Sequence, residues 1–221
     1  MLIGIDGACK WGGTPECVSC GVAFIVREDG HMEYKSIVED ASTSQRGELN
    51  GLICALTYAK ENCTDDKNIV IVTDSEYLYN SVEKEWYSKW KRNNWVGASG
   101  PVANVDKWIS ICDLLEALET ADATVAMQWT KGHLISGLTP GMVKSIMRND
   151  PTGIALYSNI QTLATRVPTK ERLVKEFNDK RLKQGCHTLP EEFVIEQVSM
   201  NVTADLLAGY IKDTVLATGK F

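Results

Sequence analysis

The spacing of apolar positions changes several times along the chain, and each change predicts an element. Leu2, Ile3 and Ile5 form a short apolar run that delivers Asp6 at its end. Residues 21–26 are apolar and rich in strand formers, and Arg27-Glu28-Asp29-Gly30 supplies a turn. From His31 to Val38 polar and apolar residues alternate, as in a half-buried antiparallel partner. The period then lengthens. Leu49, Leu52, Ile53, Leu56 and Ala59 recur at steps of three and four, which predicts an amphipathic helix capped by Thr43 or Ser44. Ile69-Val70-Ile71-Val72-Thr73 is a continuous apolar run of the kind buried on both faces of a sheet, and it ends at Asp74. A helix from Ser75, a helix over residues 105–118 and a strand over residues 124–129 follow. This order predicts an α/β fold, a mixed sheet covered by helices.

Beyond His133 the pattern loosens, with Gly137, Pro140, Gly141, Pro151, Gly153 and Pro168 separating helix-like pieces. Residues 169–183 read as a helix that Thr169 can cap and Gly185 can end. Residues 202–218 read as a last helix, carrying Leu206, Leu207, Tyr210 and Ile211 at helical spacing.

Composition narrows the class. The chain has 221 residues, 44% of them hydrophobic and 8% aromatic, enough for one good-sized domain, or for one domain with an appendage. No apolar run approaches the roughly 20 residues needed to span a bilayer, and Asp6 interrupts the opening run too early for a secretory signal. An intracellular, cytoplasmic protein without membrane contact is expected. The seven cysteines are scattered and odd in number, which reads as reduced thiols. Cys17 and Cys20 have metal-ligand spacing with Cys9 nearby, but no second matching pair accompanies them, so buried thiols are favoured over zinc. A net charge of −6 argues against indiscriminate coating of nucleic acid, while leaving room for an enzyme with a local basic surface.

Three acidic residues sit at telling places. Asp6 follows the first strand, Glu48 lies in the first turn of the first helix, and Asp74 follows the central strand. The carboxyl ends of parallel strands form the crevice where α/β sheets bind ligands, so parallel neighbours would bring Asp6 and Asp74 together with Glu48 reaching in. Clustered carboxylates raise one another's pKa unless a cation neutralises them, and Mg²⁺ prefers such oxygens. Taken singly, each residue is equally a turn, a cap or a partner for a helix dipole; the constellation is what points to metal-assisted phosphodiester cleavage.

At these residues the sequence resembles type 1 ribonuclease H of the bacterial kind. The resemblance is carried by Ile5-Asp6-Gly7, Arg46-Gly47-Glu48-Leu49, Val72-Thr73-Asp74-Ser75, Trp129-Thr130-Lys131-Gly132-His133 and Asn201-Val202-Thr203-Ala204-Asp205. Trp86, Trp90-Lys91-Arg92-Asn93-Asn94-Trp95 and Pro101-Val102-Ala103-Asn104-Val105 also follow the family's pattern. The match covers residues 1–133 and about 201–216. It implies a ribonuclease H-like three-layer fold, with a five-stranded mixed sheet whose first three strands are antiparallel. It implies hydrolysis of the RNA strand of RNA–DNA hybrids with two Mg²⁺ ions, or Mn²⁺, held by Asp6, Glu48, Asp74 and Asp205. His133 becomes the histidine that assists proton transfer or product departure. For the fourth carboxylate, Asp150 and Asp179 compete with Asp205; Asp150 sits in a turn-like Asn149-Asp150-Pro151, whereas Asp205 opens an apolar helix after Ala204.

The same resemblance implies substrate contacts from Ser44 and Gln45, which replace the family's usual asparagines, and from the loop after Asp6. Here Ala8 replaces a common Ser, and residues 10–15 replace the family's loop. Lys89, Lys91, Arg92 and Trp95 are candidates for a modest basic protrusion gripping the DNA strand, with Trp86 and Trp90 packing inward. The catalytic domain is expected over residues 1–133 and 201–221, and residues 134–200 form a mainly helical insertion. Its later half is basic (Arg166, Lys170, Arg172, Lys175, Lys180, Arg181, Lys183). That reads as a solvated helix, or as a clamp beside the site. A monomer is expected. The alternatives are another nuclease of this fold, such as a junction resolvase, and a non-catalytic hybrid-binding module.

Overall fold

Three antiparallel strands open the chain, β1 (Leu2–Lys10), β2 (Val18–Val26) and β3 (Met32–Asp40), with β2 in the middle and buried along almost its whole length. These come from a computed structural model that describes residues 1–12, 16–64 and 67–220. Helix α1 (Ser44–Asn62) follows, its first turn capped by the Thr43 hydroxyl, which accepts from the Arg46 amide. Strand β4 (Asn68–Thr73) then leads into α2 (Glu76–Glu83), capped by Ser75. A short protrusion is built from α3 (Trp86–Arg92) and the two-residue strands β5 (Val96–Gly97) and β6 (Gly100–Pro101). After α4 (Val105–Thr120) and β7 (Thr124–Trp129) come α5 (Pro140–Asn149), α6 (Ile154–Ala164), α7 (Thr169–Lys183) and α8 (Glu191–Thr218).

The main sheet has the order β3-β2-β1-β4-β7, antiparallel across β1–β2–β3 and parallel from β1 through β4 to β7. This is the mixed five-stranded sheet expected. One face buries Ile3, Ile5, Ala23, Ile25, Ile69 and Ile71 against α1 and α4. The other buries Cys20, Val22 and Phe24 against α8 and the helices of residues 140–183, with the Phe24 and Tyr157 rings 5.2 Å apart. Residues 134–200 therefore supply part of the apolar cover of the second face.

The structure moves two expected boundaries and one expected cap. Strand β1 does not stop at Asp6 but runs to Lys10, because its antiparallel pairing with β2 continues to Lys10↔Val18. Helix α8 begins at Glu191 rather than near Val202. Val194, Ile195, Val198 and Met200 are buried in its early turns, but Gln197, Ser199, Asn201 and Thr203 are buried among them, which breaks the apolar period that would mark the start of a helix. Helix α7 spans Thr169–Lys183 as expected, but Thr169 is its first residue, and the cap position is held by Pro168 without a side-chain hydrogen bond.

Candidate active site

The site forms where the parallel part of the sheet opens. Pairing of β1 with β4 ends at Gly4↔Val72, so Asp6 on β1 and Asp74 just past β4 stand beyond the last parallel rung. Two glycines let helices press on β1 from opposite faces. A Cβ on Gly7 would collide with the Glu48 backbone, and one on Gly4 with the Met200 carbonyl. The first contact brings α1 over Asp6. Glu48 thus enters from the second turn of α1, one turn later than the sequence suggested. The second contact seats α8, where Asn201 donates from Nδ2 to the Ile5 carbonyl at 3.1 Å. Asp205 lies four residues beyond Asn201, on the same helix face, and so is carried by the interior of α8 instead of its start.

Carboxylate oxygens of Asp6, Glu48 and Asp74 lie within 4.8 Å of one another. Asp6 is buried, its Oδ1 accepting from the Gly7 amide at 2.6 Å. Burial, then the charges of Glu48 and Asp74, raise its pKa well above the ordinary carboxylate range. Burial and the neighbouring Asp74 push Glu48 up to about 8. Asp74 is raised by burial and by Asp205. Burial also raises Asp205, opposed by His133, whose Nδ1 is 3.5 Å from Asp205 Oδ2.

Whether a divalent ion fits is answered by Glu48. Its Oε2 is buried without a hydrogen-bond partner, a costly state for a carboxylate oxygen unless a cation satisfies it. The donors are all hard oxygens, as Mg²⁺ or Mn²⁺ requires. Among the described residues this is the only grouping with metal-ligand geometry. Cys9 and Cys17 approach with Sγ atoms 3.0 Å apart, but they form no part of such a cluster.

A match to the RNase H family profile spans residues 1–142. The chain belongs to the ribonuclease H family. It is 34% identical to the Ribonuclease H of Haemophilus influenzae (strain 86-028NP) over 129 residues, 58% of this chain and 75% of that protein. It is likewise 34% identical to the Ribonuclease H of Zymomonas mobilis over 134 residues, 60% of this chain and 77% of that one. The Ribonuclease H of Neisseria meningitidis is 36% identical over 129 residues, 58% and 79%. Among solved structures, LC9-RNase H1, described as a type 1 RNase H with the type 2 active-site motif, aligns at 20% identity over 77% of this chain and 82% of that chain, with a TM-score of 0.47. The family assignment rests on the sequence matches.

The other residues singled out in the sequence fall in two places. Ser44 and Gln45 are exposed at the start of α1, and Gln45 lines a shallow groove of about 600 Å³ with Tyr77, Trp86, Trp90 and Pro101. Lys89, Lys91 and Arg92 are exposed on α3, with Lys91 paired to Glu116. Trp95 is half-buried and packs against the first core, as do Trp90 and, through it, Trp86. Of the loop over residues 10–15, residues 13–15 lie outside the described residues. No described helix is long and apolar enough to cross a membrane.

Several supporting residues escaped the sequence reading. The Trp129 indole donates to the Asp74 carbonyl at 3.0 Å. Gly132 leaves room for the Asp74 carboxylate, since a Cβ there would overlap Asp74 Oδ2. Arg46 bridges Glu39 and Asp106, tying α1 to β3 and α4 rather than facing the site. Both Trp129 and Gly132 fall inside the block that carried the resemblance, which was the available signal.

Proposed function

We propose that the protein is an endonuclease that hydrolyses the RNA strand of RNA–DNA hybrids, with Asp6, Glu48, Asp74 and Asp205 holding two Mg²⁺ ions, or Mn²⁺ in their place. The observation that carries this reading is the buried, unpartnered Glu48 Oε2 within a tight carboxylate set at the open end of the parallel strands. When bound, the ions neutralise the cluster, activate water and stabilise the leaving oxygen. The chain supplies the frame: α1 packs on β1 at Gly7, holding Glu48 beside Asp6 and Asp74, and α8 packs on β1 at Gly4, carrying Asp205 next to that cluster. His133 is almost fully exposed at 84% and stands at the rim beside Asp205. From there its imidazole can take or deliver a proton at the departing 3′ oxygen and assist product departure.

For the substrate, Ser44 and Gln45 are exposed at the start of α1, the helix that carries Glu48, and offer groups that can hydrogen-bond a 2′-hydroxyl. The groove lined by Gln45, Trp86 and Trp90 offers a path for the DNA strand, with Lys89, Lys91 and Arg92 exposed on the same helix α3 as the two tryptophans. A single 5′-labelled RNA, presented alone, paired with RNA or paired with DNA, tests the substrate class in Mg²⁺ and in EDTA. Cutting of the hybrid alone, and only with metal, is expected. A branched DNA joins the panel as a further arm, and an intact hybrid beside a cleaved branched DNA would transfer the assignment to a junction nuclease.

A further inference from the structure

Helix α7 lies outside the segment that carries the family resemblance, yet its side chains converge on the strand end and loop that carry His133. Arg172 Nη2 donates to the carbonyl of Leu134, the residue immediately after His133, at 2.8 Å. Lys131 pairs with Glu176 at 2.9 Å. The Lys180 ammonium stands 4.2 Å above the Trp129 ring and also binds Glu76 at 2.8 Å. Arg181 donates to Gln128. Successive turns of α7 thus grip residues 128–134.

The grip matters because of the backbone it holds. His133 has φ +55°, in the left-handed region that non-glycine side chains rarely adopt. Such a conformation persists where its flanks are fixed. Upstream, the Thr130 amide donates to the Thr73 carbonyl at 2.9 Å, and Trp129 holds Asp74. Downstream, the Leu134 side chain is buried in the second core and its carbonyl is taken by Arg172. Much of the basic character of α7 is used in this way or within its neighbourhood: Lys170 pairs with Glu191 and Lys175 with Asp179. That leaves less of it to grip nucleic acid.

We propose that α7 is a brace for the histidine loop, with Arg172 as its positioning residue. The inference rests on the reading of His133 as the proton-handling group of the site. A brace of this kind acts on turnover through His133 and leaves hybrid binding alone, whereas a clamp on substrate would act on KM. A double-mutant cycle separates these roles. Steady-state hybrid cleavage would be measured for wild type, Arg172→Met, Arg172→Lys, His133→Ala and Arg172→Met/His133→Ala. Amide hydrogen exchange over residues 130–135 would be recorded for the same proteins without substrate. The expected pattern is a kcat loss of about tenfold in Arg172→Met with KM unchanged, partial recovery in Arg172→Lys, and faster exchange over residues 130–135. In the His133→Ala background, Arg172→Met should cost nothing further in kcat. Additive losses, or a raised KM with unaltered exchange, overturn the brace. If His133→Ala itself leaves kcat intact while Arg172→Met lowers it, the role given to His133 fails instead.

Discussion

Replacing Glu48 by Gln should make the metal-free protein more stable while removing its activity. The Glu48 carboxyl is buried beside Asp6 and Asp74, one oxygen has no partner, and its pKa is pushed from an ordinary 4.5 up to about 8. At ~1.4 kcal/mol per tenfold change, that displacement corresponds to at most about 5 kcal/mol of strain in the charged form. Relaxation of the site and solvent screening reduce the measurable part to about 1–3 kcal/mol. The sign follows from proton counts. Between pH 4.5 and about 8 the folded protein holds a proton at this site that the unfolded chain has released. Stability therefore falls as pH rises through that window. Asp6 and Asp74, also raised, act in the same direction. Urea denaturation in EDTA at pH 5 and pH 8 reads the effect. Wild type should lose stability toward pH 8, Glu48→Gln should lose less, and the variant should exceed wild type at pH 8 by the stated amount. Added Mg²⁺ should restore wild type and do little for the variant. A Glu48→Gln protein less stable than wild type at pH 8 in EDTA would refute the claim that unneutralised charge strains this site.

Three further outcomes follow from particular side chains. Gly132→Ala has an ordinary backbone angle but pushes a methyl into the Asp74 carboxylate; metal affinity from calorimetric titration should drop about 10–100-fold, with the thermal midpoint changed by only a few degrees. Gly4→Ala drives a methyl into the Met200 carbonyl of α8, so its thermal midpoint should fall by about 4 °C or more, an unfolding cost above about 1 kcal/mol. Neutralising Lys89, Lys91 and Arg92 together should weaken hybrid binding and flatten its salt dependence by about one unit of slope for each phosphate that the variant no longer neutralises; an unchanged slope removes the protrusion from the binding surface.

The sequence was most informative where chemistry and period coincide. Asp6 and Asp74 could be read as converging because each ends an apolar strand run, and the sheet places both beyond the last parallel rung. Glu48 could be placed on α1 but not over β1, because its approach depends on Gly7, a close approach without periodic signature. Asp205 required the family resemblance. The helix carrying it buries Gln197, Ser199, Asn201 and Thr203 together with its apolar residues, so its polar and apolar positions do not separate into faces. The role of α7 was unreadable for a related reason. Arg172 meets a backbone carbonyl and Lys180 a ring face, interactions for which spacing along the helix gives no hint. Its basic run instead suggested a solvated or nucleic-acid-facing surface.

Single-turnover cleavage of a 5′-labelled RNA–DNA hybrid by wild type and Asp74→Asn tests the substrate and the carboxylate cluster together. In Mg²⁺ the wild-type protein should cut the RNA strand, and the folded Asp74→Asn protein should be slower by about 10³-fold or more. Cutting by Asp74→Asn at the wild-type rate would contradict the assignment of this cluster as the active site.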